Sequence, residues 1–209
     1  FDCASAKIVS SYAGGSVSLF NRFIGDHAEV QEVLSPAGAR AGPRRLPFWK
    51  GALTVTYQTH SPEETRALGA QLAEQLQPGD VILLLGDMGA GKSELTRGIA
   101  RGLGIEGYLP SPTFPIMQMY ETGRLPLYHF DWYRLESAEE LYELSMDEYL
   151  YGEGVSVVEW PSQAEEVIPE TYLEIALTPT GDNDREITLR PVGGFHTIDG
   201  EKLKETKER

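Results

Sequence analysis

The residues best suited to chemistry lie in one short run, Gly86-Asp87-Met88-Gly89-Ala90-Gly91-Lys92-Ser93. The run satisfies the pattern G-x-x-x-x-G-K-[ST] at each fixed position. Glycines admit positive φ, so successive backbone N–H groups can turn inward around an anion. A helix opening at the lysine adds unsatisfied N-terminal donors and the positive end of its dipole. Lys92 can reach the β- and γ-phosphates as a point charge, and Ser93 can place its hydroxyl on Mg²⁺. Asp87, Met88, Gly89, Ala90, Gly91, Lys92, Ser93 and Glu94 are the candidate nucleotide contacts.

A phosphate cradle alone transfers nothing. Phosphoryl transfer also requires a carboxylate to help hold the metal and a group to place the attacking oxygen. Two acids follow apolar or aromatic runs that read as strands: Asp131 after Leu-Tyr-His-Phe, and Glu159 after Val-Ser-Val-Val. Ligands of open α/β sheets collect at such C-terminal strand ends. Either acid could hold Mg²⁺ directly or through water, and Glu159 could also orient a water. Lys92, Asp131 and Glu159 are the candidate catalytic residues, and Ser93, Asp131 and Glu159 the candidate metal ligands. In Ser111-Pro112-Thr113-Phe114, Thr113 either reaches the γ-phosphate or the metal, and so senses nucleotide state, or simply forms a turn. His129 reads as a structural side chain beside the acid. Trp160 either packs on the nucleotide or caps the core.

These groups need elements to hold them. Thr54 to Tyr57 suits a short strand. Ser61-Pro62-Glu63-Glu64 has the Ser, Pro and Glu of a capped helix start, predicting a helix to about Leu76. Val81 to Leu85 is a continuous apolar run, the pattern of a strand covered on both faces. A second helix is expected over 92–103, closed by Gly104. Pro115 to Tyr120 and Leu125 to Phe130 flank Glu121-Thr122-Gly123-Arg124 at hairpin spacing. Ser137-Ala138-Glu139-Glu140 opens another capped helix. Val155 to Glu159 reads as a second buried strand. Tyr172 to Thr178 and Glu186 to Arg190 alternate like a half-exposed antiparallel pair. The expected fold is α/β, a P-loop NTPase-like domain with a mixed, mainly parallel central sheet flanked by helices.

The expected organisation is an N-terminal extension and linker over 1–52, the domain over 53–195, and a charged, frayed tail over 196–209. The chain begins with Phe rather than Met, which reads as a fragment or an unusual start. Residues 1–50 carry six Lys/Arg against four Asp/Glu, in a chain of net charge −14. Loose apolar periodicity over 16–34 suggests a helix, and Pro, Gly, Ala and Arg over 35–47 suggest a linker. The acidic balance argues against broad direct binding to nucleic acid, which needs an excess of Lys and Arg. The single cysteine, Cys3, allows neither an internal disulfide nor a cysteine-based zinc site. The longest aliphatic run is far short of the roughly 20 residues of a membrane span. The expected location is cytoplasmic.

The series GDMGAGKS, SPTF, HFDWYRL and VVEWP, in this order, resembles the TsaE family (also called YjeE) over about Thr54 to Pro191. The resemblance implies a weak, magnesium-dependent ATPase that works with TsaD and TsaB to form threonylcarbamoyladenosine at adenosine 37 of tRNA. Contact with tRNA would be indirect, through that complex. It also implies that Lys92 and Ser93 meet phosphate and metal, that Thr113 sits in a switch-like loop, and that Asp131 is the magnesium acid. Glu159 and Trp160 would complete the site. The sequence departs from the family at Met88 and Ser93, where Leu and Thr are more usual, and at Pro115, where Thr is expected. It also has Ser145 near a usual Gly. Residues 1–50 have no counterpart there. Two other readings stand beside this one. A small-molecule or nucleoside kinase would be expected to carry an arginine-rich lid, and the arginines after the loop are scattered. In a nucleotide-gated, non-catalytic module, hydrolysis would be incidental. The absence of an N-K-x-D signature, which Thr178-Pro179-Thr180-Gly181-Asp182 does not supply, favours ATP over GTP.

Overall fold

The computed structural model describes residues 54–203 except 108, 113, 114 and 144, together with the backbone of 7–9 and 29–30. Of the helix expected over 16–34, Glu29–Val30 is instead a strand; the rest of it, and the linker over 35–47, lie outside the described residues.

The elements in order are β1 (Lys7–Val9), β2 (Glu29–Val30), β3 (Thr54–Thr59), α1 (Pro62–Ala73), β4 (Val81–Leu85), α2 (Lys92–Gly102), β5 (Met117–Tyr120) and β6 (Leu127–Asp131). Then follow α3 (Glu139–Glu143), α4 (Asp147–Leu150), β7 (Val155–Glu159), two single 3-10 turns, β8 (Tyr172–Pro179) and β9 (Arg185–Val192). One sheet has the order β2-β1-β3-β9-β8-β4-β7-β6-β5. Its centre, β8-β4-β7-β6, is parallel, while β3 with β9, β9 with β8 and β5 with β6 pair antiparallel. The sheet is thus mixed, and its parallel part is the part that carries the candidate site.

Local chemistry accounts for the elements. Ser61 Oγ accepts from the Glu64 N–H at 3.1 Å, with Pro62 at the first helical position. The return bond of Glu64 goes to the His60 N–H at 2.7 Å, one residue upstream of the usual capping-box donor. Helix α1 ends at Ala73, short of Leu76, and the Arg124 guanidinium takes up the carbonyls of Ala73 and Leu76 there. The first four residues of β4 are buried, as a strand covered on both faces requires.

Alternation along the central strands divides the core in two. Ile82 and Leu84, Leu127, and Val155 and Val157 join the cluster formed with Leu68, Leu72, Leu95 and Ile99 of α1 and α2. Val81, Leu83, Phe130 and Val158 face the other way, onto Trp132, Leu141, Met146 and Leu150. The same alternation continues past Leu127 to His129 and Asp131, and past Val157 to Glu159. Both acids therefore belong to the face that carries α2. Asp131 and Glu159 are also register partners on neighbouring parallel strands.

The expected frayed tail is corrected over 196–203. Leu203 is buried, the Tyr57 hydroxyl donates to Gly200 O at 3.1 Å, and His196 Nε2 lies 2.9 Å from Asp80 Oδ2. Residues 204–209 lie outside the described residues. No helix among the described residues is long and apolar enough to cross a membrane.

Candidate functional site

The glycine-rich loop joins β4 to α2 and turns through positive φ at Gly86, Gly89 and Gly91. A Cβ on Gly86 would stand 2.5 Å from the Leu177 carbonyl, so glycine also lets the loop lie against β8. Gly91 is the N-cap of α2 in the left-handed conformation and makes no side-chain cap. Ala90 is buried, and its N–H donates to Asp87 O at 3.1 Å. Met88, at the tip, is 70% exposed.

Lys92 is buried. Its Nζ donates to Gly86 O at 2.7 Å and Asp87 O at 2.9 Å, and stands 4.0 Å from the Trp160 ring centroid. Burial pushes the ammonium below its ordinary pKa, opposed by the charges of Glu159, Asp131 and Asp87. An ammonium over an indole face is stabilised by the ring quadrupole. Trp160 is brought there by a left-handed backbone (φ 60), and its ring also lies 5.0 Å from that of Tyr133.

One residue on, Ser93 Oγ donates to Glu159 Oε1 at 3.1 Å. His129 Nε2 lies 2.9 Å from the same oxygen, with both side chains buried. A carboxylate only accepts, so the His129 Nε2 bears the proton in this bond. The sequence reading put His129 beside the acid; the acid it meets is Glu159 rather than the neighbouring Asp131. Asp131 Oδ2 accepts from Ser111 Oγ at 3.2 Å, and its Oδ1 from the Tyr133 N–H at 3.1 Å. Arg97 Nε holds Leu109 O at 3.1 Å, tying α2 to the segment that delivers Ser111.

Lys92 thus meets Trp160, Ser93 meets Glu159, and Asp131 stands beside Glu159 in register. Thr113 lies outside the described residues. The Glu94 carboxylate is held by Arg66 and Arg97, which leaves its backbone as the part free to serve the loop. No group of three or more His, Cys, Asp or Glu among the described residues could hold a metal ion. Two carboxylates and a hydroxyl do suit Mg²⁺, which is usually held by one or two carboxylates, waters and substrate phosphates. Sequence reasoning missed Arg185. Its Nε donates to Ala90 O at 2.9 Å and its Nη2 to Gly89 O at 3.3 Å, across 95 or more residues of chain. Nothing local to Arg185 signals that reach.

The model of the family described as Threonylcarbamoyl adenosine biosynthesis protein TsaE matches residues 59–187. The tRNA threonylcarbamoyladenosine biosynthesis protein TsaE of Bacillus subtilis (strain 168) is 46% identical over 149 residues, 71% of this chain and 93% of the relative. Its namesake in Treponema pallidum (strain Nichols) is 39% identical over 131 residues, 63% of this chain and 96% of the relative. The crystal structure of Bacillus subtilis YdiB is similar with a TM-score of 0.61 and 41% identity, covering 70% of this chain and 90% of that one.

Proposed function

The chain belongs to the TsaE family, and from that premise we propose that it is a magnesium-dependent ATP hydrolase of the P-loop type. Its ATP cycle supports threonylcarbamoyladenosine formation in tRNA, together with TsaD and TsaB. The observation that carries the reading is the junction of Lys92, Ser93 and Glu159 under a loop of three left-handed glycines.

In this reading the loop amides and the N-terminus of α2 receive the phosphates. Lys92, already partly stripped of water, is the fixed positive charge facing the β- and γ-oxygens. Ser93 and Asp131, with Glu159 directly or through water, would hold Mg²⁺, which would supply positive charge against the negative charge that develops in phosphoryl transfer. Glu159, held by His129, would orient the attacking water. The Trp160 ring, 4.0 Å from the Lys92 ammonium, helps to hold it at the loop.

Asp131→Ala tests the assignment. The variant is expected to retain weak ATP binding and to lose hydrolysis, measured as phosphate release at saturating MgATP. Full ATPase activity in that variant would remove Asp131 from the machinery. A pull-down of the unaltered chain with TsaD and TsaB, with and without ATP, tests the assembly; no association in any nucleotide state would point to the kinase reading.

A further inference from the structure

Arg185 is the first residue of β9, and among the described residues its guanidinium donates to backbone carbonyls alone. Two belong to the glycine-rich loop: Ala90 O at 2.9 Å and Gly89 O at 3.3 Å. Three belong to the β8–β9 turn and are served by Nη1: Asp184 O at 2.8 Å, Gly181 O at 3.2 Å and Asp182 O at 3.4 Å. That turn is itself fastened. Thr180 N–H donates to Asp184 O at 3.0 Å, and His60 Nδ1 lies 2.8 Å from Asp184 Oδ1. A rigid planar fork is therefore fixed at one end to a braced turn and at the other to the loop.

Peptide planarity gives this contact a consequence. In a trans peptide the C=O of one residue and the N–H of the next point in opposite directions. Holding Ala90 O toward Arg185 therefore directs the Gly91 N–H away from it, and holding Gly89 O turns the Ala90 N–H inward, where it closes the turn on Asp87 O. Gly91 opens α2, so its N–H is one of the donors an anion at that helix start would use. At positive φ the glycines have wide freedom to turn these planes elsewhere. The guanidinium restricts that freedom.

We infer that Arg185 is a positioning residue for nucleotide binding. It presets the two peptide planes between Gly89 and Gly91 so that the turn is closed and the Gly91 donor is aligned before phosphate arrives, and it does not touch the phosphates itself. The inference rests on the ATP reading above and deepens it.

The test compares MgATP affinity, and KM against kcat for hydrolysis, in the full chain and in R185A, R185K and R190A. Arg190 lies on the same strand in an ion pair with Glu174 and serves as the control. R185A is expected to bind MgATP about tenfold more weakly, with the loss in KM larger than that in kcat. R185K is expected to recover only part, since an ammonium cannot span the two loop carbonyls as a fork. R190A is expected to bind as the unaltered chain does. Should R185A melt below the assay temperature, R185K carries the test, and an affinity equal to that of the unaltered chain overturns the inference. R185A binding as tightly as the unaltered chain, or R190A losing as much, overturns it with the ATP reading intact. If the unaltered chain binds no MgATP, the ATP reading fails first and the inference falls with it.

Discussion

The two faces of the sheet are covered in unlike ways. On one, α1 and α2 run twelve and eleven residues and press together until a Cβ on Gly98 would stand 2.2 Å from the Arg66 carbonyl. On the other, α3 and α4 have only five and four residues. Among the described residues, Ile116, Ser145 and Trp160 are the non-glycines with positive φ. Ile116 and Trp160 pack on the second face, and Ser145 stands between its buried Leu141 and Met146. Close helix packing on the first face holds Lys92 and Ser93 as a fixed platform. Backbone strain collects on the second, where the chain must turn sharply to bring Trp160 to that platform.

The largest effect expected is on the platform. Lys92→Ala should lower ATP hydrolysis by about a hundredfold or more, since one preorganised charge is lost where charge develops. Phosphate release measures it, and near-normal turnover would break the comparison at its centre. Gly98→Ala comes next. The added methyl meets backbone, so the two helices must part, at a cost of about 2 kcal/mol in denaturant unfolding. An unchanged midpoint would mean that the first face is looser than its geometry.

Ser145→Gly probes the strained face and has the opposite sign. Relief of the left-handed conformation is worth about 1–2 kcal/mol, and the extra freedom of glycine in the unfolded chain cancels part of it. A net gain of up to about 1 kcal/mol is expected. Glycine is the residue the family resemblance leads one to expect near this position, and φ 50 at Ser145 gives the physical reason. A loss of stability would show that the strain lies elsewhere.

The smallest effect is at the surface. The hydrogen bond to Asp184 raises the pKa of His60 above the ordinary 6.5. A raised folded-state pKa gives stability that is present below the unfolded value and lost as pH rises through the folded one. His60→Gln should therefore flatten the melting temperature between about pH 6 and about pH 8. An unaltered slope would assign that dependence to another group.

What the sequence made legible was local. The glycine-rich loop, the capped start of α1, the buried run of β4 and the two acids at strand ends each declare themselves within a few residues. What stayed hidden depends on distant partners. The Glu94 carboxylate was read with the loop, yet Arg66 of α1 and Arg97 claim it. Arg185 looked like one scattered arginine because its partners lie in a loop 95 residues away. The charges of 196–203 concealed Phe195, Ile198 and Leu203, which are too widely spaced to form a pattern yet pack on the first core. His129 sat two residues from the wrong acid, because alternation along β6 and the register with β7, rather than closeness in sequence, decide which carboxylate it meets.

Glu159 receives Ser93 and His129 on the same oxygen. A carboxylate oxygen offers about two lone pairs, so Oε1 is saturated by the protein's own donors. The two oxygens of Glu159 are consequently not equivalent. One is an anchor, and any new bond to Glu159 falls to Oε2 or requires Ser93 or His129 to let go of Oε1. A single side chain thereby acquires an inner and an outer end, and the Ser93 hydroxyl, with its one proton directed to the inner end, has only lone pairs left to offer any further partner.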